Sequence, residues 1–197
     1  GMIISFTGAQ STGKTTLLKK LVEKNGSYPF EFVPEVTRLV MRDYEVPINE
    51  DGDDLTQMLI MTEHIRNLYR NKTDRFIRGI HQVYDRCAID GIVYSHYLLE
   101  QQKISRATFD ACDLIYKKLK NKYDIIFYTS EKDVNLVDDG ERSVNKNFRD
   151  SIISLFNLYL NSNNRGDYKL VILEGSVEER LETIKRTLAN YSIDIKI

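Results

Sequence analysis

The chain has 197 residues and a formal net charge of -1, from 28 basic and 29 acidic side chains. This length suits one compact domain with a sizeable core. The balanced charge argues against DNA or RNA as the main partner, because nucleic-acid binders usually have a strong basic surplus. No apolar run approaches the roughly 20 residues of a membrane span, so we expect no membrane partner. With only Cys87 and Cys112, a disulfide framework is not expected, and a reducing, cytoplasmic compartment is.

Apolar runs alternate with helical patterns along the chain, which predicts a mostly parallel sheet with helices on both faces. Five strands are predicted, over residues 2–6, 30–33, 82–84, 124–129 and 169–173. Helices are predicted over residues 14–24, 54–70, 89–101, 105–120 and 148–160, and from Ser176 onward. Glu179 completes a capping box with Ser176. The expected fold class is therefore a three-layer α/β domain with a five-stranded sheet.

We expect one domain over residues 2–190, with a polar, mobile loop near 131–147 that acts as a lid. The tail, residues 191–197, is an edge strand, a contact to another subunit or a disordered end, and the sequence leaves these open. In the helix over 54–70, the helical spacing predicts an inner face made of Leu55, Met58, Leu59, Thr62, Ile65 and Tyr69.

The pattern G-x-x-x-x-G-K-T runs from Gly8 to Thr15, between an apolar strand and an amphipathic helix. This is the phosphate-binding loop of P-loop nucleotide-binding proteins, whose fold the alternating elements also favour. Its glycines let backbone amides wrap the phosphates, Lys14 reaches the β- and γ-phosphates, and the Thr15 hydroxyl binds Mg²⁺. We expect ATP and Mg²⁺ as cofactors. The expected nucleotide-binding residues are Gly8, Gln10, Ser11, Thr12, Gly13, Lys14, Thr15 and Thr16.

Charged side chains follow the second and third predicted strands. Asp85 would face the Mg²⁺ and its waters, and Arg86 would reach a phosphate, although a surface ion pair is the alternative. Glu35 would accept a proton from an attacking hydroxyl or hold a ribose, and Arg38 would also lie on the substrate side. The alternative is that Glu35 is an acidic residue in the first turn of a helix, where the helix dipole favours a negative charge. Carboxyl ends of parallel strands are where ligands bind, which favours the functional interpretation.

The segment Asp138-Asp-Gly-Glu-Arg-Ser143 lies in the predicted lid. It would bring Arg142 onto the transferring phosphate as a catalytic residue, although a solvated turn accounts for these residue types equally well. Asn121-Lys-Tyr-Asp124 matches the guanine-reading motif of GTPases, but it precedes a strand instead of following one. We therefore interpret it as a helix end and strand start. The three histidines show no zinc-site spacing and are expected to be structural or solvent-facing.

In order, these motifs resemble the nicotinamide riboside kinase domain of the bacterial regulator of NAD synthesis. That domain belongs to a group of AAA-labelled P-loop proteins built like nucleoside and nucleotide kinases. The resembling segments are Gly8 to Thr15, Glu35 with Arg38, Tyr84-Asp-Arg86, and 123–127 leading into 137–143. The resemblance implies a phosphate contact for Arg142 and an acceptor-side role for Glu35. It departs at Val33 and Pro34, where that family has a tryptophan thought to stack on the nicotinamide.

The sequence thus predicts an ATP- and Mg²⁺-dependent kinase for a nucleoside-like small molecule, with nicotinamide riboside as the leading candidate. Lys14, Glu35, Asp85 and Arg142 are the expected catalytic residues, and Thr15 and Asp85 the metal-placing ones. One alternative is an ATP-hydrolysing switch that acts through a protein partner. Another is a nucleoside monophosphate kinase. The oligomeric state stays open.

Overall fold

Five parallel strands form one sheet in the computed structural model, which describes residues 1–70, 76–132, 146–161 and 163–197. The strand order is β2-β3-β1-β4-β5, and every neighbouring pair is parallel. The strands are β1 (Ile3–Thr7), β2 (Phe30–Val33), β3 (His81–Asp85), β4 (Ile125–Thr129) and β5 (Lys169–Leu173). The predicted five-stranded sheet is confirmed, and all its described pairs are parallel.

The helices cover the sheet on both sides. They are α1 (Lys14–Asn25), α2 (Val36–Asp43), α3 (Asp54–Tyr69), α4 (Ala88–Glu100), α5 (Arg106–Leu119), α6 (Lys146–Asn161) and α7 (Val177–Ala189), with short 3₁₀ turns at Asn49–Asp51 and Lys120–Lys122. One apolar cluster joins the sheet to α1, α7 and the tail, and a second joins its other face to α3, α4, α5 and α6. The molecule therefore has the predicted three layers.

Alternating side chains of the central strands supply both clusters. In β4, Ile125 and Phe127 pack toward α1 and α7, whereas Ile126 and Tyr128 pack toward the opposite helices. Successive side chains of a strand point to opposite faces, and a parallel sheet covered on both faces is apolar on both. This is why the 124–129 segment is a nearly continuous apolar run in the sequence.

None of the helices in the described ranges has the length and hydrophobicity needed to cross a membrane.

The predicted inner face of α3 is half correct: Met58, Leu59 and Ile65 are partly buried against the apolar clusters, whereas the other three predicted residues are exposed. Leu55 is 66% exposed and Tyr69 56% exposed, and Thr62 also faces outward. The buried positions are Thr56, Gln57, Ile60, Met61, His64, Asn67 and Leu68. Several polar side chains on this face point inward because they find partners there, as Gln57 does by donating to the Ser95 hydroxyl at 2.8 Å. A prediction that assigns only apolar residues to the core therefore misses a buried helix face that contains polar side chains.

Two further features lie outside the sequence-based prediction. The first is α2, which was not predicted. Its buried residues, Val36 and Val40, are too few to give a helical pattern in the sequence, and they are buried by packing against Ile60 of α3.

The second is the tail, in which Ile193 and Ile195 are each 4% exposed and belong to the apolar cluster beneath α1 and α7. The tail is neither an edge strand nor detached, because these two side chains are part of the core.

Candidate functional site

The loop between β1 and α1 adopts the positive φ angles that its glycines predict. Gly8 has φ 152° and Gly13 φ 89°, and Ser11 also adopts a positive φ of 61°. A side chain at Gly8 would collide with the hydroxyl of Thr129 at the end of β4. Gly8 is thus required both by its backbone conformation and by the close approach of the neighbouring strand.

The N-terminus of α1 is open to an anion. Its N-cap residue, Gly13, offers no capping side chain, and the first turn has no acidic residue. The first amide groups of a helix have no intrahelical acceptor and attract phosphate. In front of them lies a cleft of about 610 Å³, lined by residues 9–17, by Glu35 and Arg86, and by Gly175, Ser176, Val177 and Arg180. The residues present therefore fit the phosphates of a nucleotide.

Lys14 and Asp85 meet in the middle of the site. The register of the parallel strands places Phe6 beside Asp85, so the carboxyl end of β3 lies next to the phosphate loop. The Lys14 ammonium donates a hydrogen bond to Asp85 Oδ1, and both side chains are largely buried. Thr15 is exposed one residue further along α1. The structure thus brings the predicted phosphate clamp, Lys14, to Asp85, while Thr15 lines the nucleotide cleft and Asp85 is not among its lining residues.

Arg86 lies between two carboxylates. Its Nε is 3.1 Å from Glu35 Oε1, without the alignment of a hydrogen bond, and its Nη1 is 2.9 Å from Asp90 Oδ1. Asp90 is held in turn by the Thr7 hydroxyl at 2.7 Å and the Cys87 amide at 2.8 Å. Arg86 itself has φ 72°, an uncommon conformation of the kind found at functional sites. The surface ion pair considered for Arg86 is excluded by its 14% side-chain exposure.

Behind this ion pair lies a second, inner cavity of about 20 Å³, which is about the space of one water molecule. Glu35 and Arg86 line both it and the nucleotide cleft. Its other lining residues are Val36, Thr37, Asn49, Gln57, Ile60, His64, Asp90, Gly91 and Tyr94. Burial lowers the pKa of His64 to about 3, so this side chain is neutral at physiological pH. The inner cavity is therefore small, and its one described cation, Arg86, already lies against Glu35 and Asp90.

A family model described as an AAA domain matches residues 3–180, nearly the whole chain. The chain belongs to this family. Among curated proteins, the sequence finds no match.

Solved structures similar to this AAA domain include a nucleoside kinase and a nucleotide kinase. Deoxyadenosine kinase from M. mycoides with bound dATP has a TM-score of 0.68 at 16% identity, covering 96% of this chain and 100% of that chain. The same enzyme with dCMP and dCDP has a TM-score of 0.65 at 14% identity and the same coverage. Thymidylate kinase from Candida albicans has a TM-score of 0.67 at 17% identity, covering 100% of this chain and 97% of that chain. The shared fold is that of P-loop kinases.

Some of the other predicted site residues of this AAA domain line the nucleotide cleft, and others do not. Gln10, Ser11, Thr12 and Thr16 line the cleft. The Thr12 hydroxyl is buried and bonded to Ala9 O at 2.8 Å and to the Thr129 hydroxyl at 2.7 Å, so only its backbone is available to a nucleotide. Arg38 is exposed on α2 and lines neither cavity. Arg142 and most of the predicted lid lie outside the described residues.

Sequence reasoning missed several residues of the site. Asp90, Gln57 and Tyr94 were not considered, and His64 was grouped with the structural histidines. One signal was present in the sequence: Gln57 and His64 are seven residues apart, which places them on one face of a helix. Asp90 follows Arg86 by four residues at the start of α4, which is also a spacing for contact.

Arg180 of α7 was also missed, and it joins the walls of the nucleotide cleft. This side chain is 2% exposed and donates to the carbonyls of Thr12 at 2.8 Å, Gly175 at 3.0 Å and Ser130 at 3.0 Å. It also donates to the carbonyl of Lys132 at 3.1 Å, at the start of the predicted lid. Arg180 thereby holds the phosphate loop, the end of β4 and the loop after β5 in one arrangement.

Both cysteines are free and buried, and Cys87 takes part in the site through its backbone amide, which donates to Asp90. Burial raises the pKa of the Cys87 thiol, which fits a packing role and not a nucleophile. Within the described ranges, no three His, Cys, Asp or Glu side chains are grouped closely enough to hold a metal ion. A Mg²⁺ held by Thr15 and Asp85 would take its other ligands from phosphates and water.

Proposed function

We propose that this protein is an ATP- and Mg²⁺-dependent kinase that phosphorylates a nucleoside-like small molecule, with nicotinamide riboside as the leading candidate. The observation that supports it most is the position of Glu35, whose side chain lines both the nucleotide cleft and the inner cavity. In a kinase the phosphoryl group passes from the nucleotide to the acceptor, so a residue between the two binding sites is placed to act on the transfer. The similar structures named above, deoxyadenosine kinase and thymidylate kinase, agree with phosphotransfer on this fold.

In this proposal, the phosphate loop and Lys14 bind the phosphates of ATP, and Thr15 with Asp85 places Mg²⁺, which neutralises charge on the transferring group. Lys14 then exchanges its present partner, Asp85, for phosphate oxygens. Glu35 orients the acceptor hydroxyl and takes its proton. Glu35 is the N-cap residue of α2 but makes no side-chain capping hydrogen bond, so its carboxylate lies against Arg86 and is not engaged by the helix.

The charges around the inner cavity favour an unphosphorylated acceptor. Glu35 and Asp90 are its two described carboxylates, and Arg86 is its one described cation. Arg86 already lies against both carboxylates. A monophosphate would bring two further negative charges without a free cation to receive them, whereas a neutral or cationic acceptor meets no such repulsion. The ring of nicotinamide riboside is cationic, which suits this balance.

The inner cavity is too small for a nucleoside as it stands. Its walls come from α2, α3 and α4, with the Asn49–Asp51 turn between α2 and α3. We therefore expect α2 and this turn to move outward when the acceptor binds, as lids and short helices do in many enzymes. Acceptor binding would then precede or accompany assembly of the catalytic site around Glu35.

The test is ADP release in the presence of ATP, Mg²⁺ and a panel of nucleosides and monophosphates that includes nicotinamide riboside. Glu35→Gln keeps the shape of the side chain and removes its charge. We expect it to lower acceptor phosphorylation about 10²–10⁴-fold while ATP affinity changes little. The matched control is Glu45→Gln, since Glu45 is exposed and lines neither cavity. If no nucleoside or monophosphate stimulates the wild type, the kinase proposal fails and an ATP-driven switch becomes the better account.

A further inference from the structure

Arg180 joins two segments of the nucleotide cleft by hydrogen bonds to their backbone carbonyls. Its Nη1 donates to the carbonyl oxygen of Thr12 in the phosphate loop at 2.8 Å, and its Nε donates to that of Gly175 in the loop after β5 at 3.0 Å. Both loops line the cleft, and so does Arg180 itself. A group buried in this wall is placed to control the shape of the phosphate loop.

The hydrogen bond to Thr12 fixes the direction of the next amide group. The peptide between Thr12 and Gly13 is trans, so its carbonyl and its N–H point in opposite directions. Because the carbonyl is directed at Arg180, the Gly13 N–H is directed away from the guanidinium. A side chain at Gly13 would lie 3.7 Å from Arg180 Nη1, so the guanidinium lies directly against this part of the loop. Among the hydrogen bonds of the described residues, none is donated by the Gly13 amide.

A second buried arginine contacts the loop in the same way. Arg149, in the first turn of α6, donates from Nε to the carbonyl oxygen of Gln10 at 3.0 Å, and the Ser11 amide therefore points away from it. Ser11 and Gly13 both have positive φ, at 61° and 89°. Amide groups of a turn with such residues form a concave nest that binds anions. Carbonyls held on the outside of the loop thus accompany amides on its inside.

We propose that Arg180 is a positioning residue for phosphate binding, which holds the Thr12–Gly13 peptide so that the Gly13 amide faces the phosphates of the nucleotide. This inference rests on the proposed nucleotide site, and Arg180 itself touches no phosphate. The amides of a phosphate loop surround the α- and β-phosphates, which ATP and ADP share. The position of the Gly13 amide therefore matters equally for ATP, for ADP and for inorganic tripolyphosphate, which has no nucleoside.

The test is titration of the purified protein with ADP, a non-hydrolysable ATP analogue and tripolyphosphate, each with Mg²⁺, well below the Tm of every variant. Arg180→Met keeps an unbranched apolar stem and removes the four carbonyl contacts. We expect all three affinities to fall about tenfold or more, because one hydrogen bond to a charged group is lost. Arg186→Met is the control and should change none of them, since Arg186 lies on the same helix, is exposed and lines neither cavity.

Rescue by free guanidinium separates positioning from folding. Arg180→Ala leaves a space beside the same carbonyls that a guanidinium ion can enter. Guanidinium chloride far below denaturing concentrations should restore part of the tripolyphosphate affinity, whereas sodium chloride at the same concentration should not. A variant that was merely destabilised would lose affinity further, because guanidinium weakens folding. A second measurement needs no variant: in the wild type, the Gly13 amide proton should shift downfield when tripolyphosphate binds, as a donor to a charged acceptor does.

Three results would overturn the inference. They are unchanged affinities in Arg180→Met, a loss for the two nucleotides without a loss for tripolyphosphate, and a Gly13 resonance that stays in place when the wild type binds tripolyphosphate. The second result would assign Arg180 to the nucleoside end of the cleft. A wild type that binds none of the three probes would instead refute the proposed nucleotide site, and the inference with it.

Discussion

Lys14 and Asp85 are 71 residues apart in the chain and form an ion pair at the centre of the candidate site. The pair exists because β1 and β3 are adjacent parallel strands whose carboxyl ends meet at one edge of the sheet. Each charge compensates the other while no nucleotide is bound. When a nucleotide binds, Lys14 would pair with the phosphates and Asp85 with Mg²⁺. Substitution of Lys14 should therefore affect phosphate binding, and substitution of Asp85 should affect metal binding.

Asp85→Asn should separate nucleotide binding from metal binding. Without Mg²⁺, the variant should bind ATP as well as the wild type or more tightly, because Lys14 loses a competing partner and a negative charge is removed. With Mg²⁺, the gain in affinity that the wild type shows should shrink, and turnover should fall. Calorimetry with and without EDTA measures both effects. A Mg²⁺-dependent gain equal to that of the wild type would contradict a metal-placing role.

Lys14→Ala should lower turnover or ATP affinity by orders of magnitude while the domain stays folded. The ammonium group is the one positive side chain within the phosphate loop itself, and its removal takes away the charge that this loop presents to the phosphates. Lys20→Ala on the same helix is the control, since Lys20 is exposed and does not line the cleft. Normal ATP affinity and turnover in a folded Lys14→Ala protein would refute the assignment.

Arg142→Ala should lower kcat more than it changes ATP affinity. Arg142 lies outside the described residues, so this prediction depends on its place in the lid motif and on the resemblance given above. An arginine that stabilises the charge of the transition state contributes about 10³–10⁵ in rate. Steady-state and single-turnover kinetics measure the effect, with Lys146→Ala as a nearby exposed control. A loss confined to ATP affinity would argue for a ground-state contact instead.

His64 should make the protein less stable in acid. Burial lowers its pKa to about 3, whereas an exposed histidine titrates near 6.5, so between these values the unfolded chain binds a proton that the folded chain does not. Stability should therefore fall as pH drops below about 6.5, with a contribution from His64 of about 1.4 kcal/mol per pH unit. Urea unfolding at pH 7, 6 and 5 measures it. His64→Gln should show a shallower decline, and parallel pH dependences would show the prediction to be wrong.

Ile195 should stabilise the fold as a core residue. It is 4% exposed within the apolar cluster under α1 and α7, whereas Ile197 is 38% exposed two residues later. Truncating a buried isoleucine to alanine costs about 2–5 kcal/mol, and an exposed position usually costs less than about 0.5 kcal/mol. Ile195→Ala and Ile197→Ala form a matched pair for urea denaturation. If Ile195→Ala instead dissociated an oligomer at unchanged stability, the tail would be a subunit contact.

The sequence by itself determined those features that depend on neighbours a few residues away. The phosphate loop, the N-terminus of α1 and the capping box of Ser176 with Glu179 all follow from short spacings, and the structure contains each of them. The strands β1 and β4 were recognisable for the same reason, since all their residues are buried and a strand buried on both faces is a local run of apolar residues. The presence of Lys14, Glu35 and Asp85 at loop ends could likewise be read directly.

Only the tertiary structure decided how distant segments meet. It placed β3 between β1 and β2, so that Glu35 faces Arg86, and it turned polar residues of α3 toward the inner cavity. It also brought Arg149 to Gln10 across 139 residues and Arg180 to Thr12 across 168. No local pattern predicts such contacts, because a buried arginine is stabilised by carbonyl groups whose positions depend on the packing of the whole sheet.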